Sequence, residues 1–315
     1  MMMTETKAYG MRLKDHEALM ASSSGGAFAA LSDVFLNSGN AVVCSSFDFE
    51  THRQEFRVIT SKKERDAARG SKYFQSVPGD SFRAAEQWLK DHPDGELLFV
   101  GMGCQAAGFR SFAAAKGFSD RVTVTDIICH GSSSPQLWYD YAEYIEKQGR
   151  IEALSFRDKR NGWERPTAVA VINGSEVPIH TYTKMFYNRK ALRLSCHKCP
   201  YATLRRAVDI TIGDFWNLKN SHPEHYDKDG VSLVLVHTEK GQRLFDEVRD
   251  KVLWFESDTA DCLQKNLIAP TPAASGRTRF WKDYHEHGMD YMIKKYGTDS
   301  TADRVRKKLK RMLSK

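Results

Sequence analysis

Apolar positions along the chain follow two rhythms, and the change from one to the other marks out its elements. Over residues 27–38, AFAALSDVFLNS, the side chains of Phe28, Leu31, Val34 and Phe35 fall on one helical face, and Gly39 is placed to end the helix. The runs AVVCSSF (41–47) and EFRVIT (55–60) predict strands, and a helix over 81–91 follows a polar stretch. From residue 96 strand and helix patterns alternate: ELLFV then a helix from Gln105, VTVTDII (122–128) then a helix from Pro135 to Lys147. LSFR, TAVAVIN, DITIG and VSLVLVH add strands, with further helices expected over 184–192, 239–250, 279–296 and 302–314. The alternation predicts a mixed α/β (α+β) fold, a mixed sheet with crossover helices. We expect a smaller N-terminal sub-domain over 1–95, a main domain over 96–275 and a helical basic tail over 276–315.

With 315 residues, 41% of them hydrophobic, the chain can bury a substantial core. No apolar run approaches the roughly 20 residues that span a bilayer, and the start has no apolar signal region, which reads as a soluble cytoplasmic protein. Six cysteines in a reducing compartment point to metal or redox chemistry rather than a disulfide framework. The net charge of +7 is concentrated at the end, where residues from Thr301 onward carry seven Lys and Arg against one Asp. The rest is close to neutral, so no basic groove and no nucleic-acid partner is expected. In that tail Val305, Leu309, Met312 and Leu313 share a face among basic residues, a pattern shared by weak membrane-surface contacts and by solvated terminal helices.

Cys104 directly follows the strand LLFVGMG and Cys129 directly follows VTVTDII, so both thiols should emerge at the carboxyl ends of strands, where α/β sheets bind ligands. Cys104 also stands at a helix N-terminus, which favours the thiolate. Cys196 and Cys199 form a Cys-x-x-Cys pair. Together they make four, the number that an iron–sulfur cube requires, although a tetrahedral zinc site built across the fold needs the same number. Cys44, within a strand, and Cys262, on an expected helix, read as core residues.

SSSGGAFAAL, RGSKYFQS, FVGMGCQAAGF, DIICHGSSSPQLW, SFRDKRNGW, CHKC and DITIGDFW occur in that order, and the chain thereby resembles the coenzyme F-420 hydrogenase/dehydrogenase beta-subunit family. The resemblance is to the short bacterial members that accompany polysaccharide-biosynthesis genes. It implies a flavoprotein, with FAD rather than FMN, that also carries one 4Fe-4S cluster. On this resemblance Cys104, Cys129, Cys196 and Cys199 are the expected cluster ligands. The Ser/Gly-rich turn of Ser23, Ser24, Gly25 and Gly26, which composition alone would equally assign to a helix cap, becomes the expected cradle for the FAD diphosphate. Ser71, Lys72 and Tyr73 are expected to offer a hydroxyl, a charge for the reduced flavin and an aromatic face, and Thr211, Gly213, Asp214 and Trp216 to reach the same edge. His130 is the expected proton donor and, with Lys72, the catalytic candidate. Arg157, Lys159 and Trp163 are candidates for receiving a small-molecule or sugar-like substrate. The chain lacks the closely spaced cysteines of the ferredoxin module found in longer members, so a ferredoxin-like partner is expected to supply or accept single electrons. The expected function is thus a flavin and iron–sulfur oxidoreductase. An electron-transfer subunit without its own substrate and a zinc-stabilised binding module are the alternatives.

Overall fold

The structure is a computed structural model that describes residues 2–298; the expected helix over 302–314 lies outside these residues. An eight-stranded sheet forms its centre, built from β1 (Met2–Leu13), β2 (Ala41–Phe47), β3 (Gln54–Ile59), β4 (Leu97–Met102), β5 (Val122–Ile127), β9 (Ile210–Asp214), β10 (Ser232–Thr238) and β11 (Val252–Ser257). Their order across the sheet is β11-β1-β10-β9-β5-β4-β2-β3. The sheet therefore continues across the boundary expected near residue 95. A second antiparallel sheet of β6 (Ile151–Asp158), β7 (Thr167–Ile172) and β8 (Ser175–Pro178) stands apart.

The helices are α1 (His16–Met20), α2 (Ala27–Asn37), α3 (Lys62–Ala68), α4 (Ser81–Asp91), α5 (Gly103–Ala115), α6 (Pro135–Glu146), α7 (His180–Tyr187), α8 (Leu218–Ser221), α9 (Glu239–Val248), α10 (Lys265–Ile268) and α11 (Arg277–Met292). Leu31 and Phe35 of α2 pack with Leu244 and Phe245 of α9 over one face of the large sheet. Leu89 of α4 and Phe109 of α5 cover the other. A third core joins α6, α7 and α11 to the small sheet around Trp138 and Tyr182. None of these helices is long and apolar enough to cross a membrane.

Several expectations shift for identifiable reasons. The helix expected over 184–192 is α7, which ends at Tyr187 because Arg189 takes a left-handed backbone (φ 66°). The long helix expected over 279–296 is broken at Gly288 (φ 69°) and closes in a π-turn over Ile293–Gly297. Cys262 lies on a turn rather than a helix, yet it is buried as expected.

The sheet sets up the site through its parallel half. Strands β2, β4, β5 and β9 run parallel in neighbouring pairs, with Met102 opposite Ile127 and Ile127 opposite Ile212. Their carboxyl ends finish together at one edge. Continuous burial along β4, from Leu97 to Gly101, is what a strand covered on both faces requires.

Candidate functional site

At that edge two cavities adjoin. The larger, of about 430 Å³, runs along the ends of β2, β4 and β9; the smaller, of about 180 Å³, lies beyond β4 and β5. Met102, Cys129, His130, Gly131, Ser132 and Asn266 line both, so these residues are a shared wall.

All four cysteines expected to bind a metal cluster line the smaller cavity. Cys104 sits in the first turn of α5 and Cys129 two residues beyond β5, while Cys196 and Cys199 come from the short 3-10 turn Leu194–Lys198 and the residue after it. No disulfide joins them. Burial pushes the Cys129 thiol up to about 12, and burial together with the nearby Cys199 and Cys196 raises that of Cys104. Two backbone N–H groups point at sulfur: Gly131 donates to Cys129 Sγ at 3.3 Å and Ser132 to Cys196 Sγ at 3.4 Å. Such donors favour the thiolate form that binds metal. Among the described residues no three His, Cys, Asp or Glu side chains stand close enough to hold a single metal ion.

A buried ion pair that sequence reasoning missed fastens this cavity. Arg206 donates to Asp126 Oδ2 at 2.8 Å, and also to the carbonyls of Ile127, Thr203 and Asn266, tying the chain after Cys199 to the end of β5 and to α10. Burial raises the Asp126 carboxyl pKa while Arg206 lowers it. The sequence signal was an Arg beside the Cys-x-x-Cys segment and an Asp inside an otherwise apolar strand. Gly103 fits here because a Cβ would come 3.0 Å from both Asp126 Oδ2 and Tyr201 Cβ.

The larger cavity collects most of the residues expected to hold a flavin: Ser23, Ser24, Gly26, Ser71, Lys72, Tyr73, Gly213, Asp214 and Trp216 all line it. Gly26 (φ 88°) precedes the first turn of α2 and brings no capping side chain of its own, although the Ser232 hydroxyl oxygen accepts from the Ala27 N–H at 3.5 Å. The Ser23 hydroxyl oxygen accepts from the Ser71 backbone N–H at 2.9 Å, joining the two loops. Two of the expected residues, Gly25 and Thr211, are not among those that line it. A Cβ on Gly25 would come 2.2 Å from the Met11 carbonyl and 2.4 Å from the Ser232 nitrogen, so this glycine serves close packing against the sheet. Thr211 is fully buried and its hydroxyl pairs with His237 at 2.9 Å, on the side away from the cavity.

Lys72 donates to the carbonyls of Ala68 and Arg69 at 2.7 and 3.0 Å, at the end of α3, and burial pushes its pKa down to about 8. Cys44 lines the same cavity, and burial holds its thiol up at about 12. His130 is fixed from one side, its carbonyl accepting from the Thr271 hydroxyl at 2.6 Å, while its Nε2 is buried without a partner. Burial and the charge of Arg189 lower its pKa, so at neutral pH it is a neutral imidazole.

The expected substrate residues separate. Arg157 does line the larger cavity, paired with Asp214 at 3.0 Å and stacked over Trp216. Lys159 instead donates to the carbonyls of Leu19, Ser24 and Asp229, bracing the Ser/Gly loop from behind. Trp163 is buried behind Trp216, their rings 4.9 Å apart. Neither is available to a substrate.

The family described as the C terminus of the coenzyme F420 hydrogenase/dehydrogenase beta subunit matches residues 94–260, more than half of the chain. The chain belongs to this family. Members of the coenzyme F420 hydrogenase/dehydrogenase family are tied by that description to oxidoreductase assemblies, and all four clustered cysteines fall within the matched residues. The fold is also similar to a chain of the xenon-derivatised F420-reducing nickel–iron hydrogenase complex from Methanosarcina barkeri, with a TM-score of 0.54 at 16% identity, covering 80% of this chain and 82% of that one. Comparison with curated proteins finds no match.

Proposed function

We propose that this member of the family is a flavin- and iron–sulfur-dependent oxidoreductase, with FAD in the larger cavity and one 4Fe-4S cluster in the smaller. The observation that carries the proposal is the convergence of Cys104, Cys129, Cys196 and Cys199 on one small cavity that shares a wall with a second, cofactor-sized one. The spacing of the four thiols suits a cluster better than a single zinc: among the described residues no three side chains of ligand type stand close enough for one ion, whereas the corners of an iron–sulfur cube hold four thiolates further apart.

The bound groups would supply hydride or electron-pair chemistry on one side of the wall and single-electron transfer on the other. The chain's own residues would hold and tune them. Gly26 and the first turn of α2 beyond Ala27 would offer backbone N–H groups to a diphosphate, with Ser23 and Ser24 alongside. Lys72, held by two carbonyls, would set a positive charge beside electron-rich flavin atoms. The Gly131 and Ser132 amides would hydrogen-bond to cluster sulfur and so raise its potential. His130 Nε2, in the shared wall and without a protein partner, would donate to or accept from the substrate. A small sugar-like substrate, in keeping with a role in polysaccharide metabolism, would meet Arg157 and the exposed Trp216 where they line the larger cavity.

The test is anaerobic purification with cofactor analysis. The expected protein is brown-yellow, with flavin absorption bands over a broad iron–sulfur shoulder and about four iron per chain. Stoichiometric zinc with neither iron nor flavin would show that the cysteines serve a structural zinc site instead.

A further inference from the structure

The near-neutral sum of charge outside the tail conceals a strong local bias. Residues 188–207 carry six Lys and Arg, and residues 262–282 carry four, without an Asp or Glu in either segment. The fold lays these two segments against one another. The His197 ring bonds the Thr271 carbonyl at 2.8 Å, Arg206 donates to the Asn266 carbonyl, and Arg277 donates to that of Leu192. Both segments contribute to the walls of the smaller cavity, through Arg193, Cys196 and Cys199 from the first and Pro270 and Thr271 from the second.

The outer surface of this double segment is exposed. Arg193, Lys198, Arg205 and Lys265 all face solvent, and none forms an ion pair among the described residues. The same two segments carry Leu194 and Ile268, 68% and 67% exposed, the two most exposed large apolar side chains described. Exposed apolar side chains on segments that also carry unpaired cations are the composition of a transient, electrostatically steered protein interface.

We infer that this face docks a small acidic protein carrying a one-electron iron–sulfur group, with Leu194 and Ile268 as the apolar contact and Arg193, Lys198, Arg205 and Lys265 as the steering charges. The inference rests on the assignment of a cluster to the smaller cavity and adds the surface and the charge of its partner. Charge complementarity selects an acidic partner, and position selects an electron carrier, because the face is the outer wall of the cavity that holds the four thiols. One electron would pass per encounter, oxidising one cluster and reducing the other, with no bond made or broken. Attraction would set the rate of encounter, and the small apolar contact would keep the complex short-lived enough for turnover.

The experiment uses the full chain, anaerobically reconstituted, with a reduced acidic two-cluster bacterial ferredoxin as the probe and basic cytochrome c as the control. Affinity is followed by calorimetry and electron transfer by stopped-flow absorbance. The wild-type chain is expected to bind the ferredoxin and not the cytochrome, and to lose about tenfold in second-order rate between 50 and 200 mM salt. The variant Arg205→Glu/Lys265→Glu should lower the ferredoxin rate about tenfold at low salt while iron content and reduction by dithionite stay as in wild type. Leu194→Ser should speed dissociation with little change in salt dependence. A rate insensitive to salt and to charge reversal, in protein with full iron, would overturn the docking face and leave the cluster assignment standing. Sedimentation with phosphatidylserine vesicles but no binding of ferredoxin would also overturn it, in favour of a lipid surface. Protein without iron would remove the cluster assignment beneath it, whatever binds to the basic face.

Discussion

Gly131 belongs to the wall that the two cavities share. Its backbone sits at φ 130°, a conformation L side chains rarely adopt, and a Cβ there would come 2.9 Å from Leu192 Cδ1 and 3.3 Å from Cys196 Cβ. Its N–H also reaches Cys129 Sγ. Gly131→Ala is therefore expected to strain this loop and to press Leu192 and the Cys196 Cβ outward, whereas the Ser/Gly loop and α3 on the far side of the larger cavity are untouched. The expected outcome is protein that keeps its flavin band but loses most of its iron, read by absorbance and iron assay on the same sample. Equal loss of both would show that the wall does not separate the two sites. At this scale the sequence was most legible for the cysteines, because a thiol's position relative to a strand end follows from the strand itself. It was least legible for Gly25, Thr211, Lys159 and Trp163, whose types suit a cofactor or substrate but whose side chains, or whose room for one, are taken up by neighbouring backbone and core.

The elements that the sequence pattern revealed are those whose neighbours bury them on both faces or along a clear stripe. Strand β2 falls on the expected residues 41–47, and β4, β5, β9 and β10 lie within a residue or two of their apolar runs. The peripheral strands β1 and β11 escaped notice: MMTETKAYGMRL and VLWFES mix charged and apolar residues because each lies at or next to the sheet's edge. Strand β1 nevertheless helps to bury a titratable group. His237 on β10 lies between Thr6 of β1 and Thr211 of β9, its two ring nitrogens 3.1 and 2.9 Å from their hydroxyls, and burial pushes its pKa down to about 4. The unfolded chain, with an ordinary imidazole near 6.5, then binds a proton that the folded chain does not, so stability falls as pH drops from about 6.5 to 4. That difference amounts to about 3 kcal/mol at the lower end. His237→Gln, which retains hydrogen-bonding capacity without the charge, should flatten this limb of a urea-midpoint profile. Parallel profiles for the two proteins would mean that other groups govern the acid limb.

For the molecule as a whole, net charge and pattern each concealed an arrangement that only the fold could reveal. Two basic segments separated by more than fifty residues form one face, and a neutral total gave no sign of it. The sub-domain boundary expected near residue 95 rested on a change in pattern, whereas the large sheet recruits β1, β2 and β3 from before it and the remaining strands from after it. This continuity puts the Ser/Gly loop, the strand-end cysteines and the Cys-x-x-Cys turn on one rigid edge, so the two cavities should act as one device with separable parts.

Cys196→Ser tests that coupling. Cys196 lies on the smaller cavity only, in an exposed 3-10 turn, so its replacement should leave the core and the larger cavity intact. A serine oxygen is a poor substitute for a thiolate on iron, and the variant should lose most of its cluster. Its flavin should still bleach fully under a chemical two-electron reductant, because Lys72, Arg157 and the first turn of α2 are unaltered. Re-oxidation by a one-electron protein acceptor should then slow by about a hundredfold or more, a barrier increase of roughly 2.7 kcal/mol, since the short route out crosses the shared wall into the emptied cavity. An unchanged rate of re-oxidation in the cluster-free variant would show that electrons leave the flavin by a route that does not cross the shared wall.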